Sequence, residues 1–242
     1  MNEAISIFAV AAAALGASAL AAVAGFGGSV IMLPVLVWAF GVVDAVPILT
    51  IAQLIGNLSR VLLNRRELRW SVIRRFAIGA VPTAVIGGII FAKAPAGALV
   101  RVLGVFLLVM VVFRHTGWGK RARLSLNGFV PLGAASGILS AVLGTVGPLA
   151  APFFLAFGLV RGAYIGTEAM TAVTMHVTKL AVYGGYRLVS VKTLLIGLAI
   201  GAVMLLGTYL GKLLLGRVAE RVFPYLIEAT LLVSGLIFII QG

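Results

Sequence analysis

Long apolar runs separated by short polar gaps fill this chain from one end to the other, and that spacing restricts it to a membrane. The runs lie near 4–24, 27–41, 45–63, 74–92, 99–113, 127–143, 146–159, 163–183, 192–211 and 222–240. A helix crossing the hydrocarbon core needs about 20 consecutive, mostly apolar residues, and several of these runs reach that length. A soluble domain would carry roughly 45–50% apolar and about 25% charged residues. Here 62% are apolar and 10% charged among 242 residues. Backbone groups in lipid must find partners within the protein, which leaves helices or closed barrels, and continuous apolar runs specify helices. The expected fold is all-α, a polytopic transmembrane helical bundle of about eight spans drawn from up to ten segments.

The runs at 27–41 and 146–159 are too short to cross alone and read as half-helices or re-entrant pieces. The first run contains the small-residue stretch Ala17-Ser18-Ala19 but is preceded by Glu3 and no Lys or Arg, so it reads as a retained helix rather than a signal peptide.

The net charge of +13 would suggest nucleic acid in a soluble protein, but its placement argues otherwise. Arg60, Arg65, Arg66, Arg69, Arg74 and Arg75 crowd one stretch, and Arg114, Lys120, Arg121 and Arg123 fill the next long polar gap. Two spans between two basic loops bring the chain back to the same face, which the positive-inside rule makes cytoplasmic. No nucleic-acid partner is expected. With no cysteine, two histidines and six carboxylates, the chain lacks the side chains that hydrolytic and metal-dependent sites draw on. An enzyme is not expected, and neither a cofactor nor a metal is required.

The order of features repeats after roughly 120 residues, the kind of internal repeat to be sought first. Gly25-Phe26-Gly27-Gly28 leads to Pro34, then Ala39-Phe40-Gly41, then a span containing Thr50; Gly144-Thr145-Val146-Gly147-Pro148 leads to Pro152, then Ala156-Phe157-Gly158, then a span containing Thr167. Gly79-Ala80-Val81 answers to Gly201-Ala202-Val203. The division is into residues 1–123 and 124–242, two homologous repeats with glycine- and proline-interrupted helices. Charge does not fix their relative orientation. Duplicated halves with broken segments at matching positions point to a secondary transporter whose site lies between the repeats.

A broken helix in lipid exposes backbone that must be satisfied by protein or a water-filled cavity, and the N–H groups that start a half-helix favour an anion. Gly27, Gly28 and Ser29 in the first break, with Gly144, Thr145 and Gly147 in the second, are therefore candidate substrate ligands. Gly133/Gly137, Gly197/Gly201 and Gly207/Gly211 have the small-xxx-small spacing of packing contacts instead. Gln53, Asn57, Arg60 and Asn64 fall on one helical face, and Gln53 and Asn57 are the better placed to line a cavity. The span 163–183 adds Thr167, Thr171 and Lys179 as binding candidates, and Glu168 and His176 as groups that could carry a coupled proton. Glu168 and Lys179 stand roughly 16 Å apart along one helix, so each needs its own compensation. Glu228 has no visible partner and is read as structural. Tyr183, Tyr186, Trp38, Trp70 and Trp118 suit the aromatic belt.

The blocks Gly25 to Pro34 and Gly144 to Pro152, with Gly166-Thr167-Glu168-Ala169 followed by His176 and Lys179, resemble the TauE/SafE family of bacterial sulfite exporters over nearly the whole chain. The second glycine block departs from the family pattern at Thr145-Val146 and Pro148. The resemblance implies a two-repeat transporter in the bacterial inner membrane. Its cargo would be a small sulfur-containing anion, sulfite or an organosulfonate. Export, proton coupling and alternating access complete the expectation, with the anion, protons and the lipid bilayer as partners and a homo-oligomer left open. The alternatives are a passive anion channel or uniporter, and a non-transporting membrane subunit that docks a partner through its basic loops.

Overall fold

The structure is a computed structural model and describes residues 10, 12–16, 18, 28–116, 124–214 and 218–241. Every regular element among them is helical: α1 (Gly28–Leu63), α2 (Trp70–Lys93), α3 (Ala96–Thr116), α4 (Phe129–Leu143, after a 3-10 turn at Leu126–Gly128), α5 (Gly147–Ala156), α6 (Arg161–Gly185), α7 (Val191–Leu214) and α8 (Val218–Gln241). Residues 10, 12–16 and 18 of the first run are also helical; Gly25 to Gly27 of the first break and Trp118 lie outside the described residues. Four stretches are long and apolar enough to cross a membrane, Ile31–Leu63, Trp70–Lys93, Ala96–Phe113 and Leu126–Leu143, with shorter apolar stretches at Val191–Gly207 and Leu231–Ile240. The expectation from sequence was about eight spans; these are the ones present among the described residues.

The helices sort their side chains as lipid-facing helices do. On α3, Leu99, Leu103, Leu107 and Met110 are buried, while Val102, Val105, Val109 and Val112 form an exposed stripe at helical spacing. Exposed Ile78, Ile86 and Ile90 on α2 continue the pattern. A contiguous apolar exterior of this kind marks a membrane-facing surface.

As the sequence separates 27–41 from 45–63, α1 consists of two helical arms that meet at Gly41, whose φ of 75° and ψ of 159° lie outside the helical region. Only glycine adopts this conformation without strain. Leu33 and Val46 would stand about 20 Å apart on a straight helix. Both lie within 3.6 Å of where a Cβ on Gly144 would sit, so the two arms of α1 converge on the α4–α5 break. Gly158, in the corresponding Ala-Phe-Gly, also has a positive φ of 93°.

Helices α2 and α4 pack along one another, as do α3 and α8, while α1 packs against α6 and α7, and α2 against α6. Small residues permit these approaches. A Cβ on Gly133 would strike Phe76 O and one on Gly137 would strike Ala80 O; Gly197 sits against Ile51, Gly201 against Ile55, and Gly207 against Ser18. The packing expectation for these glycines holds, with the surroundings of Gly211 outside the described residues. Phe76, Phe129 and Phe154 fill the space between α2, α4 and α5, with ring centroids 5.2 to 6.0 Å apart. A larger cluster joins Met32, Leu36, Leu49, Leu107 and Leu143. The outcome is a rigid seat for the break between α4 and α5.

Candidate functional site

Helix α4 stops because Gly144 turns left-handed, at φ 83°. Helix α5 restarts at Gly147 with Pro148 in its first turn, where a missing N–H costs nothing. Ser140 O accepts the Gly144 N–H at 2.9 Å, and the carbonyls that follow it at the end of α4 lack helical partners. Helix α6 supplies the partners. Lys179 Nζ donates to Ser140 O at 3.2 Å, to Ser140 Oγ at 3.0 Å and to Gly144 O at 3.3 Å. Tyr183, one turn further along α6, donates its hydroxyl to Ala141 O. Tyr183 is thus no member of an aromatic belt. It is fully buried, with its ring 5.2 Å from that of Phe91, because its hydroxyl is needed at the end of α4. Trp38, Trp70 and Tyr186 are exposed, as a belt requires.

On the other side of the break, Thr145 Oγ1 lies 2.8 Å from Ser29 Oγ. This contact joins the second break to the start of α1, so hydroxyls more than 100 residues apart in sequence meet. Gly28 is the first residue of α1; Gly27 lies outside the described residues.

The remaining polar groups form a line along the α1–α6 contact. Glu168 Oε2 stands 3.6 Å from Arg60 NH1, with side-chain exposures of 12% and 35%. Glu168 Oε1 also comes within 3.9 Å of the position a Cβ on Gly147 would take, which places a carboxylate near the start of α5, where the helix dipole favours it. Arg60 NH2 donates to Asn57 Oδ1 at 2.6 Å, and Asn57 Nδ2 lies 3.1 Å from His176 Nε2. Gln53 Nε2 and His176 Nδ1 are buried with no hydrogen-bond partner among the described residues.

The structure therefore brings together Ser29, Asn57, Gly144, Thr145, Gly147, Glu168, His176 and Lys179, with Gln53 one turn from Asn57 on the same face of α1. It places two hydroxyls elsewhere. Thr167 Oγ1 accepts from the backbone N–H of Arg69 at 3.0 Å, tying α6 to the loop after α1, and Thr171 donates back to Glu168 O at 2.7 Å. Both are engaged with backbone. Ser140, Tyr183 and the pairing role of Arg60 were missed by sequence reasoning. Their signals are a serine four residues before a helix-ending glycine, a tyrosine four residues after a buried lysine, and a basic residue on the Gln53–Asn57 face. Glu228 also has a partner invisible in sequence, His115, whose Nε2 stands 3.2 Å away at exposures of 67% and 32%.

A bundle with an apolar exterior, an interrupted helix pair and a buried line of charged and amide groups is the architecture of a multi-pass membrane transporter. Residues 10–238 match the model of the sulfite exporter TauE/SafE family. The chain belongs to that family, a membrane transporter family for sulfur-containing anions and not an enzyme family. No curated protein and no solved structure matches it.

Proposed function

We propose that this chain exports a small sulfur oxyanion or sulfonate across the bacterial inner membrane, coupled to protons and by alternating access. The observation that carries this reading is the state of Lys179. Its side chain is 0% exposed, and among the described residues it meets only neutral oxygens. A buried charge without a counter-charge is costly, and inside a membrane it marks a functional site. The C-terminus of α4 offsets roughly half a charge, and the start of α5 has the Glu168 carboxylate beside it. A positive potential remains at the break. One hydroxyl hydrogen of the Ser29–Thr145 pair remains after the two bond each other, and with the Gly147 N–H at the start of α5 it suits an oxyanion oxygen.

Glu168 is our candidate for the coupled proton, since it lies on the same helix and is held by Arg60 across the α1–α6 contact. The halves 1–123 and 124–242 would form an inverted repeat. Arg60 faces Glu168 while Asn57 faces His176, so the Thr50 and Thr167 spans run antiparallel, as inverted halves require. The paired positive-φ glycines, Gly41 and Gly158, support the same correspondence.

The test is sulfite flux in proteoliposomes containing only this protein, with and without an imposed pH gradient. Flux that responds to the gradient, and loses that response in Glu168→Gln, is expected. Purely downhill flux indifferent to the gradient would contradict coupling and favour a channel or uniporter, and absence of flux would contradict the cargo.

A further inference from the structure

We infer that His176 is a substrate-positioning hydrogen-bond donor, held in one tautomer by Arg60 through Asn57, and that it forms with Gln53 a donor pair that selects the anion. The inference rests on the anion-transport reading above. A guanidinium has no acceptor, so the atom of Asn57 that Arg60 NH2 approaches at 2.6 Å must be the carbonyl oxygen. The Asn57 amide nitrogen is then the atom facing His176 Nε2 at 3.1 Å, and it donates. His176 Nε2 must accept, and a neutral imidazole that accepts at one nitrogen carries its hydrogen on the other. His176 Nδ1 is therefore a donor. That donor is buried, in a side chain 2% exposed, and has no partner among the described residues; Gln53 Nε2 shares this condition.

Buried donors without partners are rare in native proteins and call for an explanation. His176 Nδ1 lacks an acceptor, and the Gln53 amide, with no hydrogen bond among the described residues to hold it in one orientation, can turn its NH2 to the same ligand. Asn57 opposes His176 in the antiparallel run of α1 against α6. The Gln53 turn of α1 then lies toward the Lys179 turn of α6, a rise of about 6 Å per four residues on each helix. Two free donors and a cation with no counter-carboxylate thus belong to one short stretch of the α1–α6 contact. An oxyanion supplies what all three need: several acceptor oxygens and a negative charge. Adding a proton at Nε2 would set it against the Asn57 amide hydrogens. His176 is accordingly assigned to holding the anion, and proton carriage is left to Glu168.

The test compares wild type with Gln53→Met, His176→Asn and His176→Gln, each purified in detergent as a monodisperse species. The readouts are sodium sulfite affinity by thermal shift at matched ionic strength, and the pH profile of sulfite flux in proteoliposomes. Asparagine keeps an amide at the δ position of the imidazole, whereas glutamine carries it out to the ε position. Gln53→Met and His176→Gln should weaken sulfite binding about tenfold or more, with His176→Asn within about threefold of wild type. Gln53→Met should also melt higher than wild type without ligand, because an unmatched buried donor has been removed. The pH profile should keep its shape in His176→Asn. Unchanged sulfite affinity in Gln53→Met and His176→Gln would overturn the inference, as would loss of pH response in both His176 variants with binding intact. A wild-type protein that neither binds nor moves sulfite would overturn the transport reading and this inference with it.

Discussion

The two charges in the interior of α6, Glu168 and Lys179, are accommodated in different ways. Glu168 has an opposite charge, Arg60, at 3.6 Å, and it lies near the start of α5. Lys179, eleven residues further along, has a serine hydroxyl and two carbonyls, and no carboxylate within ion-pair reach among the described residues. Each charge sits at the helix end whose dipole favours it, the anion near the start of α5 and the cation at the end of α4. The first is matched within the protein. The second is fully buried and matched only in hydrogen bonds, which satisfies geometry and leaves charge over. On the function proposed above, that difference separates a group that holds two helices together from one that takes a ligand.

The contrast can be broken from the Glu168 side first. Arg60→Gln strands Glu168 in a mostly buried setting, and removal of one partner of a buried pair costs about 3–5 kcal/mol. With Arg60 partly exposed the lower end of that range is expected, read as a lowered thermal midpoint. Removing both charges in Arg60→Gln/Glu168→Gln should restore most of that stability, and a double variant as unstable as the single one would show that the pair is not what Glu168 needs. A smaller effect sharpens the other side. Tyr183→Phe removes one hydrogen bond to the end of α4 and should cost about 1 kcal/mol, with sulfite affinity within about twofold, because Lys179 keeps its own three contacts. The smallest effect belongs to the exposed pair of His115 and Glu228. Glu228→Gln should shift stability by no more than about 0.5 kcal/mol, measured by the same thermal scan.

Much of this arrangement could be read from the chain. Hydropathy located the helices, and the glycine breaks marked the place where Ser29 and Thr145 meet. The rise of a single helix showed that Glu168 and Lys179 need separate compensation. The break at Gly41 coincides with the end of the 27–41 run, but the convergence of both arms on Gly144 was not legible, because it depends on a contact between distant segments. Nor was the use of each hydroxyl. Thr171 bonds back to a carbonyl of its own helix, a habit of helical threonines that competes with any ligand role, and Thr167 is taken by the backbone of Arg69. Tyr183 read as interfacial because aromatic residues near helix ends usually are. Only the three-dimensional path of α4 shows that a carbonyl is waiting for it. Helix α6 can carry Thr167, Thr171, His176 and Lys179 within its span because all four are buried and face protein rather than lipid.

Whether the unmatched charge of Lys179 takes the anion is tested by a calorimetric titration of sulfite into wild-type protein and into Lys179→Gln. Glutamine keeps a donor for the end of α4 and removes the charge. The expected result is sulfite binding by the wild type and at least a hundredfold loss in the variant, with the fold retained. Equal affinity in both would contradict the account, because the anion would then be held without the charge on which the site is built.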